Sequence, residues 1–175
     1  NMCHESSGVA LNESIGIGKG TVTLDDFNSA DLIIVVGQNP GTNHPRMLTA
    51  LRDAKKKGAS IISINPLIET GMKKFKHPQN PIEMLGFGSK IADKHLKVKI
   101  NSDQALFRAF SKSLIESGNV DEIFIDKYTN GYDDYRKIVL ESDFSELSDI
   151  TGIQLQEILD VGEKVSQSKS TIVCW

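Results

Sequence analysis

The sequence predicts an α/β fold, a Rossmann-like three-layer domain in which a mainly parallel sheet is flanked by helices. Two apolar runs rich in β-branched residues, at 32–36 and 59–64, are typical of strands buried on both faces. An amphipathic helical pattern separates them. A strand, a helix and a strand in this order form a right-handed crossover, which places the two strands parallel and close together.

The first strand leads into a loop that suits an anion. Gly37 and Gly41 break the apolar run, and Asn43 and Pro45 are predicted as N-cap and first turn of a helix. Backbone N–H groups at such a helix start can face an anion, and ligands of open α/β sheets bind at this edge. The spacing is neither G-x-G-x-x-G nor a Walker loop, so an ordinary strand-to-helix turn is the alternative.

The rest of the chain supplies further elements around this unit. In order, we predict a helix at 3–15, a helical turn at 23–29, a helix at 44–57, a surface excursion at 69–90 with a probable insertion at 73–90, a strand at 95–100, a helix from 103, two short helices at 119–142, a long helix after a capping box at 151–154, and a strand at 171–175. Asn65 and Asp103 follow parallel strands and are therefore expected at the edge where the first strand ends.

Composition indicates one globular domain over residues 1–175, with 39% hydrophobic residues and a net charge of −3. Without a long apolar run or a secretion signal, we expect a cytoplasmic protein with no membrane insertion, and the charge gives no reason to expect nucleic acid. Seven lysines between residues 73 and 99 indicate either solvated helix faces or a basic rim beside an anionic ligand.

The two cysteines, Cys3 and Cys174, lie at opposite ends, which argues against a disulfide framework or a structural zinc site. Cys174 lies in an apolar run and is expected to be a core thiol. The chain opens at Asn1 without an initiator methionine and closes on an apolar strand-like run at 171–175, whereas natural termini are more often polar, so we expect a fragment of a longer protein.

Several short motifs occur in order: Asn-Met-Cys-His-Glu at 1–5, Gly-Gln-Asn-Pro at 37–40, His-Pro at 44–45, Asn-Pro at 65–66, Ile-Glu-Thr at 68–70 and Tyr-Arg-Lys-Ile-Val at 135–139. Together they resemble the catalytic subunit of molybdopterin-dependent formate dehydrogenases, which belong to the DMSO reductase superfamily. The resemblance is strongest to the branch of formate dehydrogenase-like oxidoreductases whose substrate is unsettled. The resemblance implies a molybdenum bis(molybdopterin guanine dinucleotide) cofactor. It also implies two-electron oxidation or reduction of a small molecule.

By the resemblance, Cys3 is the molybdenum ligand and His4 takes the substrate proton, both as catalytic residues. A soft thiolate suits this metal and imidazole titrates near neutral pH. Taken alone, the two would be an incidental thiol and a surface histidine. The resemblance implies cofactor binding at Gly37, Gln38, Asn39, Gly41, His44, Asn65 and Asp103. Asp103 is the preferred guanine reader, because a carboxylate can accept from guanine N–H groups; a helix N-terminal charge is its alternative.

The resemblance also implies partners: the remaining domains of the polypeptide, a small-molecule substrate and an electron-transfer partner. An iron–sulfur cluster would bind outside this fragment, because two distant cysteines cannot hold one. The isolated domain is expected to be inactive. Asn1, Glu5, Asn65 and Leu67 depart from the family pattern, and the lost cationic groups put formate, an anion, in doubt as the substrate.

Two other classes of function fit the same fold. One is a non-catalytic nucleotide-binding module, such as the central domain of a thiamine-diphosphate enzyme or an NAD-binding regulator. The other is an assembly domain with a degenerate site. The nucleotide-binding module would have no use for a Cys-His pair at the start of the chain.

Overall fold

The computed structural model describes residues 4–79, 81–86 and 88–175. Within them, the strands Leu32–Val36 (β1), Ser60–Ile64 (β2), Lys94–Leu96 (β3) and Thr171–Cys174 (β4) form one sheet in the order β3-β2-β1-β4. Each neighbouring pair is parallel. The predicted α/β, Rossmann-like three-layer fold is confirmed.

Helices connect the strands and cover both faces of the sheet. The α-helices are Glu5–Ile15 (α1), Pro40–Asn43 (α2), Pro45–Lys56 (α3), Thr70–Lys73 (α4), Pro81–Met84 (α5), Asp103–Glu116 (α6), Glu122–Tyr128 (α7), Tyr132–Glu141 (α8), Phe144–Thr151 (α9) and Leu155–Gln167 (α10), with a 3-10 helix at Asp25–Asn28. None of the helices in the described part of the chain is long and apolar enough to cross a bilayer.

The core has two halves because successive residues of a strand point to opposite faces. In β1, Leu32, Ile34 and Val36 pack with residues of α6, α9 and α10. Ile33 and Val35 pack on the other face, with residues of α3 and with Met72 of α4. All five β1 residues are buried, as the continuous apolar run predicted.

The start of α3 differs from the prediction. Asn43, predicted as its N-cap, is instead the last residue of α2, and His44 occupies the cap position of α3. The physical reason lies upstream: the side chain of Asn39 accepts from the N–H of Thr42 and so begins a separate short helix. A short helix and a longer one, α2 and α3, therefore follow β1 where one helix was expected.

The predicted capping box at 151–154 is wrong. Thr151 is the last residue of α9, a helix that was not predicted, and Gly152 follows in the left-handed region at φ 71°. The hydroxyl of Thr151 accepts from the N–H of Ile153, so it holds the turn between two helices. Lys99 donates its N–H to the Thr151 carbonyl, which draws the chain away after Leu96 and makes β3 shorter than predicted.

The excursion after β2 is partly a core element. Met72 in α4 is fully buried, and the backbones of Phe75 and Ser89 pair in an isolated antiparallel bridge. This bridge closes the loop near its base. That residues 73–90 are an insertion stays a prediction.

Candidate functional site

The carboxyl ends of β1 and β2 are joined by hydrogen bonds. Gly37 turns the chain at φ 64° and donates its N–H to the Ile64 carbonyl at 2.8 Å. Asn65 donates from Nδ2 to the Gln38 carbonyl at 3.2 Å, while its Oδ1 accepts from the Leu67 N–H at 3.1 Å. The structure thus brings Gly37, Gln38 and Asn65 together at one sheet edge.

Asn39 and Gly41 lie at the junction of α2 and α4. The Asn39 amide accepts from the N–H of Thr42 and donates to Oε2 of Glu69 at 2.7 Å. A Cβ on Gly41 would stand 3.3 Å from Cα of Gly71, so the two short helices meet backbone to backbone. Packing accounts for both residue types here, and their predicted contact with a cofactor stays a prediction.

A cleft of about 1440 Å³ opens beside this junction. It lies between α1 with the residues that follow it, the first half of α3 and the end of β4. Three predicted site residues line it: His4, Gln38 and His44. Apolar side chains form much of its wall, including Leu11, Val22, Phe27, Met47 and Val173.

Gln38 carries the unsatisfied polar atom of the cleft. Its Oε1 is buried and has no hydrogen-bond partner within the described residues. A buried acceptor without a donor costs about 1–3 kcal/mol, so the position favours a ligand that supplies an N–H or O–H. Gln38 lines the cleft, but this oxygen is closed off from solvent, so a ligand N–H or O–H would reach it only if the side chain turned toward the cleft.

The cleft also contains two cations that the sequence reasoning missed, Lys19 and Arg46. No hydrogen bond or ion pair within the described residues engages Arg46, which follows Pro45 in the first turn of α3. Arg46 could have been identified from the sequence, because it lies in the first turn of a helix that follows a strand and a loop, where anions bind. None of the seven lysines at 73–99 is among the described residues that line this cleft.

Asp103 stands apart from the other candidates. It is the exposed first residue of α6 and, in the described part of the chain, forms no hydrogen bond or ion pair with them and does not line the cleft. Cys3 lies outside the described residues. Its neighbour His4 is exposed and precedes α1.

Among the titratable groups with shifted pKa values are Cys174 on β4 and His95 on β3. Burial raises the pKa of the Cys174 thiol to about 11, which suits the predicted core thiol rather than a reactive one. Burial, with the nearby charges of Lys73 and Lys90, lowers the pKa of His95 on β3. Both groups are therefore neutral near pH 7.

Similar proteins agree with this architecture. The chain shares 45% sequence identity with an uncharacterized oxidoreductase of Mycobacterium tuberculosis. The match covers all of this chain and 23% of that protein. It shares 31% sequence identity with formate dehydrogenase H of Escherichia coli, and this match covers 98% of the chain and 22% of that protein. Acetylene hydratase from Pelobacter acetylenicus shares the fold, with a TM-score of 0.75 and 20% identity over 97% of this chain and 20% of that one.

The chain thus spans less than a quarter of the length of these relatives. A family model described as molybdopterin oxidoreductase matches residues 3–172, which covers both sheet faces, the junction and the cleft. The chain belongs to the molybdopterin oxidoreductase family.

Proposed function

We propose that this chain is the molybdopterin guanine dinucleotide-binding domain of a molybdenum-dependent, formate dehydrogenase-like oxidoreductase. Membership of the family and the similarity to formate dehydrogenase H support the class of reaction. The observation that carries the proposal is the cleft at the end of β1, with the unpartnered Gln38 Oε1 in its wall.

The residues of the cleft fit such a cofactor. Its volume exceeds the roughly 300–1,000 Å³ of sites for drug-sized ligands, as a dinucleotide requires. Lys19 and Arg46 could neutralise a pyrophosphate, and the apolar wall suits the flat rings of a base or a pterin. Guanine N–H groups and ribose hydroxyls are donors of the kind that Gln38 Oε1 lacks.

When bound, the molybdenum centre would exchange two electrons with the substrate. His4 lines the cleft and is exposed, so its imidazole can take a proton released in an oxidation or return it in a reduction. Cys3 precedes it and would supply the thiolate ligand. His44 would stand beside the cofactor at the start of α3.

Other parts of the proposal concern the surroundings of this site. Gly37, Asn39 and Gly41 would shape the loop near the cofactor backbone, and Asn65 would contact ribose or guanine. Asp103 does not line the cleft, so its contact with ribose or guanine would require the dinucleotide to extend beyond the cleft to the start of α6. The remaining domains of the polypeptide would complete the site and exchange electrons with a partner, with any iron–sulfur cluster bound there. We place the full-length protein in the cytoplasm and expect this chain alone to be inactive.

Metal and nucleotide analysis of the full-length protein tests the proposal. Expressed with molybdate and purified, the protein should contain molybdenum and release guanosine monophosphate on acid hydrolysis. Cys3→Ser should lose the metal while Cys174→Ser retains it: Cys174 also lines the cleft, but burial raises the pKa of its thiol to about 11, so it does not supply a thiolate. Wild-type protein without molybdenum, tungsten or guanine nucleotide would refute the proposal.

A further inference from the structure

The two short helices after β1 and β2 depend on each other. Each of α2 and α4 has four residues, too few to be stable alone in water. Gly41 and Gly71 lie against one another, and a Cβ on Gly71 would come within 3.1 Å of Gly41 Cα. Packing of α2 against α4 therefore stabilises both helices.

One side-chain bond fixes this contact from within. Asn39 Nδ2 donates to Glu69 Oε2 at 2.7 Å in a partly buried position, and Asn39 Oδ1 caps α2 by accepting from Thr42. A charged acceptor makes this bond stronger than one between neutral groups. With its oxygen and one N–H held by the protein, the Asn39 amide has a fixed orientation.

The bond between Asn39 and Glu69 also restrains Gln38, the residue before Asn39. Gln38 has its carbonyl bonded to Asn65 on one side and is followed directly by the fixed Asn39 on the other. Its backbone is thus held from both sides by the segment after β2. Gln38 lines the cleft, and its buried side-chain oxygen has no hydrogen-bond partner within the described residues.

We propose that Glu69 is a positioning residue that, through Asn39, holds the loop 37–41 in the shape that directs Gln38 into the cleft and so retains the cofactor. This inference rests on the proposed function. It assigns Asn39 an indirect role, in which its amide orients the loop and does not itself touch the ligand.

Exchange of the bonding partners in the full-length protein tests it. Asn39→Asp sets two carboxylates against each other, and their repulsion should turn the new carboxylate out of the position that caps α2. Cofactor loss should become about tenfold faster, the effect of one charge-assisted hydrogen bond. Glu69→Gln keeps an acceptor and should change retention little. In Asn39→Asp with Glu69→Gln, the new amide donates to the new carboxylate, so retention should return close to that of the wild type.

Cofactor loss is followed as guanine nucleotide and molybdenum that remain bound after repeated gel filtration. Asp143→Ala is the matched control, because Asp143 caps α9 through the Glu146 N–H on the far side of the sheet from α3. It should lower the melting temperature without changing retention. This control separates general destabilisation from positioning.

Two results would overturn the inference: retention in Asn39→Asp equal to that of the wild type, or a double variant as poor as Asn39→Asp alone. The second result would indicate that Asn39 itself contacts the ligand. Amide exchange at Thr42 gives a readout that needs no cofactor: it should accelerate in Asn39→Asp and recover in the double variant, and unchanged exchange would also overturn the inference. A wild-type protein without cofactor would refute the proposed function instead.

Discussion

The two walls of the cleft are built very differently. The inner wall, formed by Gln38 at the end of β1 and by the first half of α3, is linked through α2 to the segment after β2, and α3 buries Leu48, Leu51 and Ala54. The outer wall, formed by α1 and residues 16–24, has no buried residue in α1. One bond from Trp175 Nε1 to Ser7 Oγ, at 3.2 Å, links α1 to the end of β4.

This difference indicates which part of the site exists before a ligand binds. The inner wall carries Gln38 and His44 on a packed scaffold, so their positions are set by folding alone. The outer wall carries His4 just before a helix whose Leu11 side chain, like that of His4, lines the cleft. A ligand that filled the cleft would bury those side chains and stabilise the outer wall most.

Hydrogen exchange should show the largest difference between the walls. Amides of α3 should exchange only through global unfolding, whereas those of α1 should exchange through local opening, because α1 buries no side chain. The two opening free energies should differ by about 5 kcal/mol, the lower end of domain stability. Exchange measured by mass spectrometry, peptide by peptide, checks this, and equal protection of α1 and α3 would contradict it.

A matched pair of leucine truncations should differ next most. Leu51→Ala removes a fully buried side chain from the core and should cost about 2–5 kcal/mol. Leu11→Ala removes a half-buried one from α1 and should cost roughly 1 kcal/mol or less. Urea unfolding measures both, and similar losses would show that α1 is anchored as firmly as α3.

Two glycine-to-alanine substitutions, one beside each wall, should differ by a smaller amount in their effect on stability. Gly71→Ala would place a Cβ 3.1 Å from Gly41 Cα and 3.3 Å from the Leu48 side chain, an overpacking that should cost about 1–3 kcal/mol. Gly20→Ala meets nothing within 4 Å among the described residues and should change stability by about 0.5 kcal/mol at most. Thermal unfolding compares them, and a neutral Gly71→Ala would remove the close contact of α2 and α4 from the account.

Low pH should lower the stability of the inner wall because it protonates Asp93. Burial alone would raise its pKa, but hydrogen bonds from the Lys55 ammonium and the Ile61 N–H outweigh burial and lower it. Because the folded pKa lies below the unfolded one, Asp93 adds stability above about pH 4 that is lost as pH falls through the folded value. Asp93→Asn should flatten the fall in stability below pH 4, and an unchanged slope would contradict this.

The sheet could be predicted from sequence because its signals are local. The runs in β1 and β2 are rich in β-branched apolar residues, although β2 also contains Ser60 and Ser63, and such runs are typical of strands covered on both faces. Short helices were harder. The S/T-x-x-Q pattern at Thr151 was overridden by Gly152, which ends α9 in the left-handed region.

The candidate site was predicted less completely, because its geometry depends on long-range contacts. Nothing local pairs Asn39 with Glu69, or Gly41 with Gly71, across thirty residues of chain. Motif resemblance identified Gln38 and His44, which do line the cleft, but it could not reveal that Arg46 lies there too.

An experimental structure of the full-length protein purified with its cofactor would test the central claim most directly. We predict a guanine dinucleotide in the cleft between α1 and α3, with a donor group within hydrogen-bond distance of Gln38 Oε1 and the Cys3 sulfur on molybdenum. A cofactor bound elsewhere, with this cleft filled by another part of the polypeptide, would contradict the account.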